Sequence, residues 1–134
     1  MKYNPFSLQE KKILITGASS GIGKATAIEC SRMGAKIIIT GRNKQRLEET
    51  YQSLEGDGHS MMIADFEQEN DITLLVEKLP DLDGIVHCAG VVTTKLFSFI
   101  NRDELKTIMD INFISPVTLT QALLEKKKIK KGSS

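Results

Sequence analysis

Cysteine is scarce in this chain: two residues, Cys30 and Cys88, among 134. Two thiols cannot build a disulfide framework or a four-cysteine zinc site. Neither sign of charge is in excess. The 18 Lys and Arg face 17 Asp and Glu, for a formal net charge of +1. That balance argues against a nucleic-acid binder held by phosphate contacts. Long apolar runs are missing too. No stretch approaches the ~20 residues that span a bilayer. The opening segment, Met1 to Lys12, lacks the apolar core of a secretory signal. The expected address is the cytoplasm, where thiols stay reduced.

What is there suits an ordinary globular protein, with 40% hydrophobic and 26% charged residues. The length fits one domain and cannot hold two of ordinary size. Such a domain buries roughly two thirds of its unfolded surface and needs no disulfide to fold. Charge is uneven only at the end. Five of the 18 basic residues lie in Glu125-Lys126-Lys127-Lys128-Ile129-Lys130-Lys131, and without them 13 basic residues face 17 acidic ones. These lysines suit the last turn of a helix, opposite its partial negative charge.

Four apolar runs set a regular beat: Ile13-Leu14-Ile15, Ile37-Ile38-Ile39, Met61-Met62-Ile63 and Ile85-Val86. They start 24 residues apart. The runs are continuous rather than alternating, as in strands buried on both faces. Between them the period turns helical. Ile22, Thr26, Cys30 and Met33 form one stripe, with Ala25 beside it. Leu47, Tyr51 and Leu54 form a second, and Ile72, Leu75, Val76 and Leu79 a third. Gly34 suits a helix C-cap, while Gly56, Gly58 and Pro80 break the later helices. The pattern predicts an α/β fold, a doubly wound parallel sheet with helices on both faces.

After the fourth run the beat changes. Asn101-Arg102-Asp103-Glu104 reads as a capping-box variant. A helical segment follows to about Lys128, and Pro116 should kink it near residues 112–115. A fifth strand is expected to begin at about Ser133-Ser134, where this sequence stops.

The first strand runs into Thr16-Gly17-Ala18-Ser19-Ser20-Gly21-Ile22-Gly23, and a helix opens there. Glycines at such a junction allow a tight turn and a close backbone approach to a ligand. The helix start offers free N–H groups and partial positive charge, which suit a pyrophosphate. A P-loop is excluded, because Ala18 replaces its first glycine and Ala25 the hydroxyl that would hold magnesium. An NAD site wants an acid about 20 residues further on. Here the chain reads Thr40-Gly41-Arg42-Asn43-Lys44, and the nearest acid is Glu48. An arginine at that corner suits a 2′-phosphate, so NADP(H) is expected, with NAD(H) less favoured.

These residues resemble the short-chain dehydrogenase/reductase family. Thr16 to Gly23 matches its TGxxxGxG loop. Asp65 follows the third strand, where the family sets an aspartate against the adenine amino group. His87-Cys88-Ala89-Gly90 stands where the family usually has Asn-Asn-Ala-Gly. Asn112, in Asp110-Ile111-Asn112, stands where the family keeps an active-site asparagine at a helix kink. The likeness runs from Lys11 onward.

The resemblance implies a Rossmann-like fold, truncated after the fourth strand and its following helix. It assigns to the cofactor Gly17, Ser19, Ser20, Gly21, Ile22, Gly23, Arg42, Asn43, Asp65, Phe66, Cys88, Ala89 and Gly90, and to catalysis Asn112. Asp65 has a second reading, as N-cap of a helix beginning near Glu67. Asn112 also has one, satisfying backbone freed by the kink before Pro116. His87 and Cys88 depart from the family's asparagines and read as core-facing. Adjacent strand residues point to opposite faces, so the pair cannot hold one metal, and no metal is expected.

The family's chemistry is hydride transfer at a carbonyl or alcohol carbon. It needs a proton donor and a polarising serine, because hydride attack makes an alkoxide. Tyr3 is followed four residues on by Ser7 and Tyr51 by Glu55, so neither tyrosine gives Tyr-x-x-x-Lys. The resemblance therefore implies the cofactor-binding portion of a carbonyl or alcohol oxidoreductase, the 3-oxoacyl reductase type being one such class, inactive alone and homo-oligomeric (dimer or tetramer) when complete. It implies no nucleic-acid or membrane partner. The alternative is a non-catalytic nucleotide-binding or interaction fragment complete as it stands.

Overall fold

The computed structural model describes residues 3–134; Met1 and Lys2, part of the opening segment read above, lie outside the described residues. The element order is β1 (Lys12–Ile15), α1 (Gly21–Arg32), β2 (Lys36–Gly41), α2 (Lys44–Gln52), β3 (Ser60–Ile63), α3 (Glu69–Lys78) and β4 (Gly84–Val86). A short 3-10 turn (Phe97–Phe99), α4 (Arg102–Met109), a π-helical turn (Asp110–Ile114) and α5 (Ser115–Glu125) follow. All four apolar runs fall inside the strands expected of them.

The strands form one parallel sheet in the order β3-β2-β1-β4. Strand alternation builds two cores from it. Ile13, Ile15, Ile37 and Ile39 face one way and pack with Ala27 of α1 and Leu47 of α2. Leu14 and Ile38 face the other way, against Ile72, Leu75 and Val76 of α3 and Leu119 and Leu123 of α5. Helices thus cover both faces of the two central strands. The edge strands β3 and β4 are only partly buried, and Ile63 is exposed. Each has a strand neighbour on one side alone, so continuous apolarity overstated their burial.

The third helical stripe is buried as expected. The first is not. α1 buries Gly23, Ala27 and Ser31, whereas Ile22 is 79% exposed and Met33 is exposed. Small side chains let α1 lie close on the sheet, and a hydropathy pattern cannot see closeness. α2 likewise buries Leu47 and Thr50, with Tyr51 exposed. Thr50 faces inward because its hydroxyl has a partner there, the carbonyl of Ala18 at 2.8 Å.

The capping box is complete. Asn101 accepts from the Glu104 amide at 2.9 Å, and the Glu104 carboxylate accepts from the Asn101 amide at 3.2 Å. The kink takes the form of the π turn, and Pro116 opens α5. The backbone is helical on both sides of the proline, and the π turn accommodates the ladder bond that its missing amide cannot make.

α5 stops at Glu125, short of the expected Lys128. The lysine run is therefore a turn beyond the helix, with Lys127 at φ 55. One lysine still caps a helix: Lys128 Nζ donates to the carbonyl of Leu79, at the end of α3, at 2.5 Å. Further on, Ser134 lies beside β4. Its amide donates to Asp83 O at 3.2 Å and its carbonyl accepts from Ile85 N at 3.0 Å.

Candidate functional site

The carboxyl ends of β1, β2 and β4, with the turns that follow them and β3, enclose a cleft of about 410 Å³. Open α/β sheets bind ligands at this end. Gly17, Ser19, Ser20, Gly21, Ile22, Gly23, Arg42, Asn43, Asp65, Phe66, Cys88, Ala89 and Gly90 all line it. Asn112 stands at its rim and reaches Val91 of its wall. Thr40, Gly41, Arg46, Ala64, Val91 and Ile111 complete the lining. These six were outside the set drawn from the sequence. Arg46 was findable, since it lies four residues after Arg42 on the helix leaving the same corner.

The glycine loop is built by close packing. Gly17 sits at φ +62, and a side chain there would bring its Cβ to 2.5 Å from the Ala89 amide nitrogen. The loop can pass the end of β4 only without that carbon. Thr16, fully buried, joins the two segments. Its hydroxyl oxygen accepts from the amides of Cys88 and Ala89, each at 3.1 Å, and its own amide donates to Val86 O. Thr50 fixes the loop from the other side through Ala18 O.

α1 then starts facing the cleft. Its N-cap Ser20 makes no side-chain capping bond, and its first turn carries no acid. α3 and α4, by contrast, both carry acids in their first turns. The amides and partial positive charge at the start of α1 are thus left for a ligand. A side chain at Gly21 would meet nothing within 4 Å. The space over the helix start is open.

At the β2 end, Arg42 and Arg46 bring positive charge to the wall, and both are exposed. Asn43 caps α2, its side chain accepting from the Arg46 amide at 3.0 Å. Asp65 makes an Asx turn, not a helix cap. Its Oδ1 accepts from the Glu67 amide at 3.0 Å, while the N-cap of α3 is Gln68. Its own amide donates to Asp71 Oδ2 at 2.8 Å. Phe66 is buried, and its carbonyl accepts from the Ser115 hydroxyl at 2.6 Å, tying this wall to α5.

The β4 end corrects two expectations. His87 is not core-facing; it is exposed on the α5 side, its Nε2 3.0 Å from the Thr120 hydroxyl. That hydroxyl donates to Pro116 O at 2.8 Å, so it accepts from a His87 Nε2–H. Partial burial holds the imidazole below its ordinary pKa. Cys88 is half-buried and lines the cleft. Asn112 also differs from its second reading: its carboxamide bonds across to Val91 rather than to the backbone of its own helix.

A dinucleotide fits what these residues offer: open space above Gly21, an acid-free helix start and two arginines at the far corner. Among the described residues, no group of three or more His, Cys, Asp or Glu could hold a metal ion, and no helix is long and apolar enough to cross a membrane.

Comparison with known proteins agrees with the geometry. A family model for short chain dehydrogenases matches residues 11–133. The chain is 31% identical over 137 residues to 3-ketodihydrosphingosine reductase of Bos taurus, covering 92% of this chain and 41% of that protein. It is 33% identical over 112 residues to an uncharacterised oxidoreductase of Listeria monocytogenes, covering 79% and 45%. The chain thus spans about half the length of the curated relatives it matches. Among solved structures, a short chain dehydrogenase of Salmonella enterica superposes with a TM-score of 0.81 at 30% identity, covering 92% of this chain and 56% of that one. One of Escherichia coli CFT073, complexed with NADPH, gives 0.79 at 31%, covering 87% and 53%. The chain belongs to the short-chain dehydrogenase/reductase family, and its sheet has the parallel, Rossmann-like form of that family's solved structures.

Proposed function

We propose that this chain forms the cofactor-binding portion of an NADP(H)-dependent oxidoreductase that interconverts carbonyl and alcohol groups. The observation that carries the reading is the β2 corner, where Arg42 and Arg46 line the cleft and no acid stands. The relative complexed with NADPH supports it. Bound nicotinamide would supply or accept the hydride. The start of α1 would hold the pyrophosphate, and Arg42 the 2′-phosphate. Asp65 is suited to the adenine amino group, and Ala89 and Gly90 to the nicotinamide ribose. Asn112 holds the Val91 backbone, and with it the strand end beside Gly90.

Neither tyrosine carries the Tyr-x-x-x-Lys pattern. The 134 residues by themselves are therefore expected to bind nucleotide without reducing a carbonyl. The relatives named as reductases favour a keto compound as substrate of the whole protein, a 3-oxoacyl compound being one such class. A cytoplasmic homo-oligomer is the proposed setting. Competition tests the phosphate assignment: 2′,5′-ADP should displace bound NADPH at concentrations at least tenfold below those of 5′-AMP. Equal displacement would contradict it.

A further inference from the structure

The sheet ends in β4 on one side and β3 on the other, and only β4 is flanked. Beside β4, Leu82 bridges Ile129 in parallel, and Ser134 bonds Asp83 and Ile85. β3 has β2 on one side and, among the described residues, no strand on the other. The Ala64 amide donates to Gly41 O, so the backbone groups of Met62 and Ala64 face β2. Alternation turns those of Met61 and Ile63 outward. Natural sheets blunt an open edge with lysine, proline or a bulge. Ser60-Met61-Met62-Ile63 carries no charge and no proline, its register with β2 is unbroken, and Ile63 is 47% exposed.

The flank of α3 forms the other wall of a groove of about 470 Å³ beside this edge. Asp71, Leu74 and Lys78 stand at i, i+3 and i+7, on one face of the helix. Leu74 is half-exposed. Asp71 Oδ2 accepts from the Asp65 amide, which leaves Oδ1 free. Neither Asp71 nor Lys78 has an ion-pair partner among the described residues. Seven residues of helix part the two by about 10 Å, too far to pair with each other. Opposite charges on either side of an apolar centre complement the same face turned end for end, and a two-fold axis turns it so.

We propose that the edge of β3 and the flank of α3 form a symmetric contact with a second copy of this chain. The two β3 strands run antiparallel, with Met62 opposite Met62 at the axis. In that register Met61 of each copy exchanges both backbone bonds with Ile63 of the other. Both α3 helices stay on one face of the joined sheet. There Asp71 of each copy meets Lys78 of the other, across the two Leu74 side chains. The lining residues of groove and cleft do not overlap, so the contact stands apart from what the cleft binds.

Sedimentation equilibrium of the chain, compared with Ile63→Lys and Lys78→Glu, tests the contact. Wild type should associate, and each substitution should raise the dissociation constant at least tenfold. Lys78 is exposed at the end of α3, so Lys78→Glu carries the comparison should Ile63→Lys fail to fold. Hydrogen exchange reads the edge directly. The Met61 and Ile63 amides of wild type should exchange more slowly as concentration rises, and those of Lys78→Glu should not. A wild-type chain that stays monomeric overturns the inference, as does an assembly whose mass and exchange match in all three proteins. Phe113, exposed on the π turn, offers a rival surface. Assembly lost with Phe113→Glu and kept in both edge variants would place the contact there and overturn the inference too.

Discussion

Asn112 grips the backbone of Val91 from both sides: its Oδ1 accepts from the Val91 amide and its Nδ2 donates to the Val91 carbonyl, each at 2.7 Å. Asn112 lies in the π turn between α4 and α5, and Val91 follows Gly90 at the end of the cleft. Single π turns recur at functional sites because the extra residue re-aims a side chain. Here it turns a carboxamide out of the helix and onto a loop. Asn112→Ala removes both bonds at an exposed position, at about 1–2 kcal/mol in all. Asn112→Asp keeps the acceptor and loses the donor, so its melting temperature should fall between those of wild type and alanine. Dinucleotide affinity should drop severalfold in the alanine variant as the Gly90 wall loosens. Unchanged affinity would mean the clamp is irrelevant to the cleft.

Thr16 poses a sharper case because it is fully buried. Thr16→Val keeps its shape and strands the amides of Cys88 and Ala89. Each stranded amide costs about 1–3 kcal/mol. Thr16→Ser keeps the oxygen and should lose less than about 1 kcal/mol, chiefly the buried methyl. Denaturant unfolding of the pair checks this. Equal losses would place the value of Thr16 in its methyl group rather than its hydroxyl.

His87 predicts a pH dependence. Burial holds its imidazole below the ordinary value, so the folded chain takes up the proton later than the unfolded chain as pH falls. The stability it contributes is complete above about pH 6.5 and is lost as pH falls from there through the folded-state value. Protonation leaves the Nε2–H bond to Thr120 intact, so the loss reflects desolvation alone. Wild type should therefore lose more melting temperature between pH 7.5 and 5.5 than His87→Asn, which can still donate to Thr120. Parallel losses in the two proteins would contradict the assignment.

The sheet was legible because its signals are local and redundant. Ile13 to Ile15 and Ile37 to Ile39 are apolar on both faces, and the runs recur at one spacing. The glycine loop was legible because Gly17, Gly21 and Gly23 stand in a fixed order between a strand and a helix. What the sequence hid depends on neighbours distant in the chain. Hydropathy placed Ile22 of α1 and its C-cap Met33 inside, yet the helix buries Gly23, Ala27 and Ser31, with Cys30 partly buried beside them. Asn112 was noticed, but nothing in the residues around it points to Val91, 21 positions away. Lys128 looked like a cap for its own helix and serves α3 instead.

The account stands most directly on one comparison, the dissociation constants of NADPH and NADH for the wild-type chain and for Arg42→Ala. Wild type should bind NADPH at least tenfold more tightly than NADH. The substitution should erase most of that preference by weakening NADPH alone, leaving NADH within about twofold. Equal binding of the two nucleotides by wild type, or undiminished NADPH affinity in Arg42→Ala, would contradict the NADP(H) assignment.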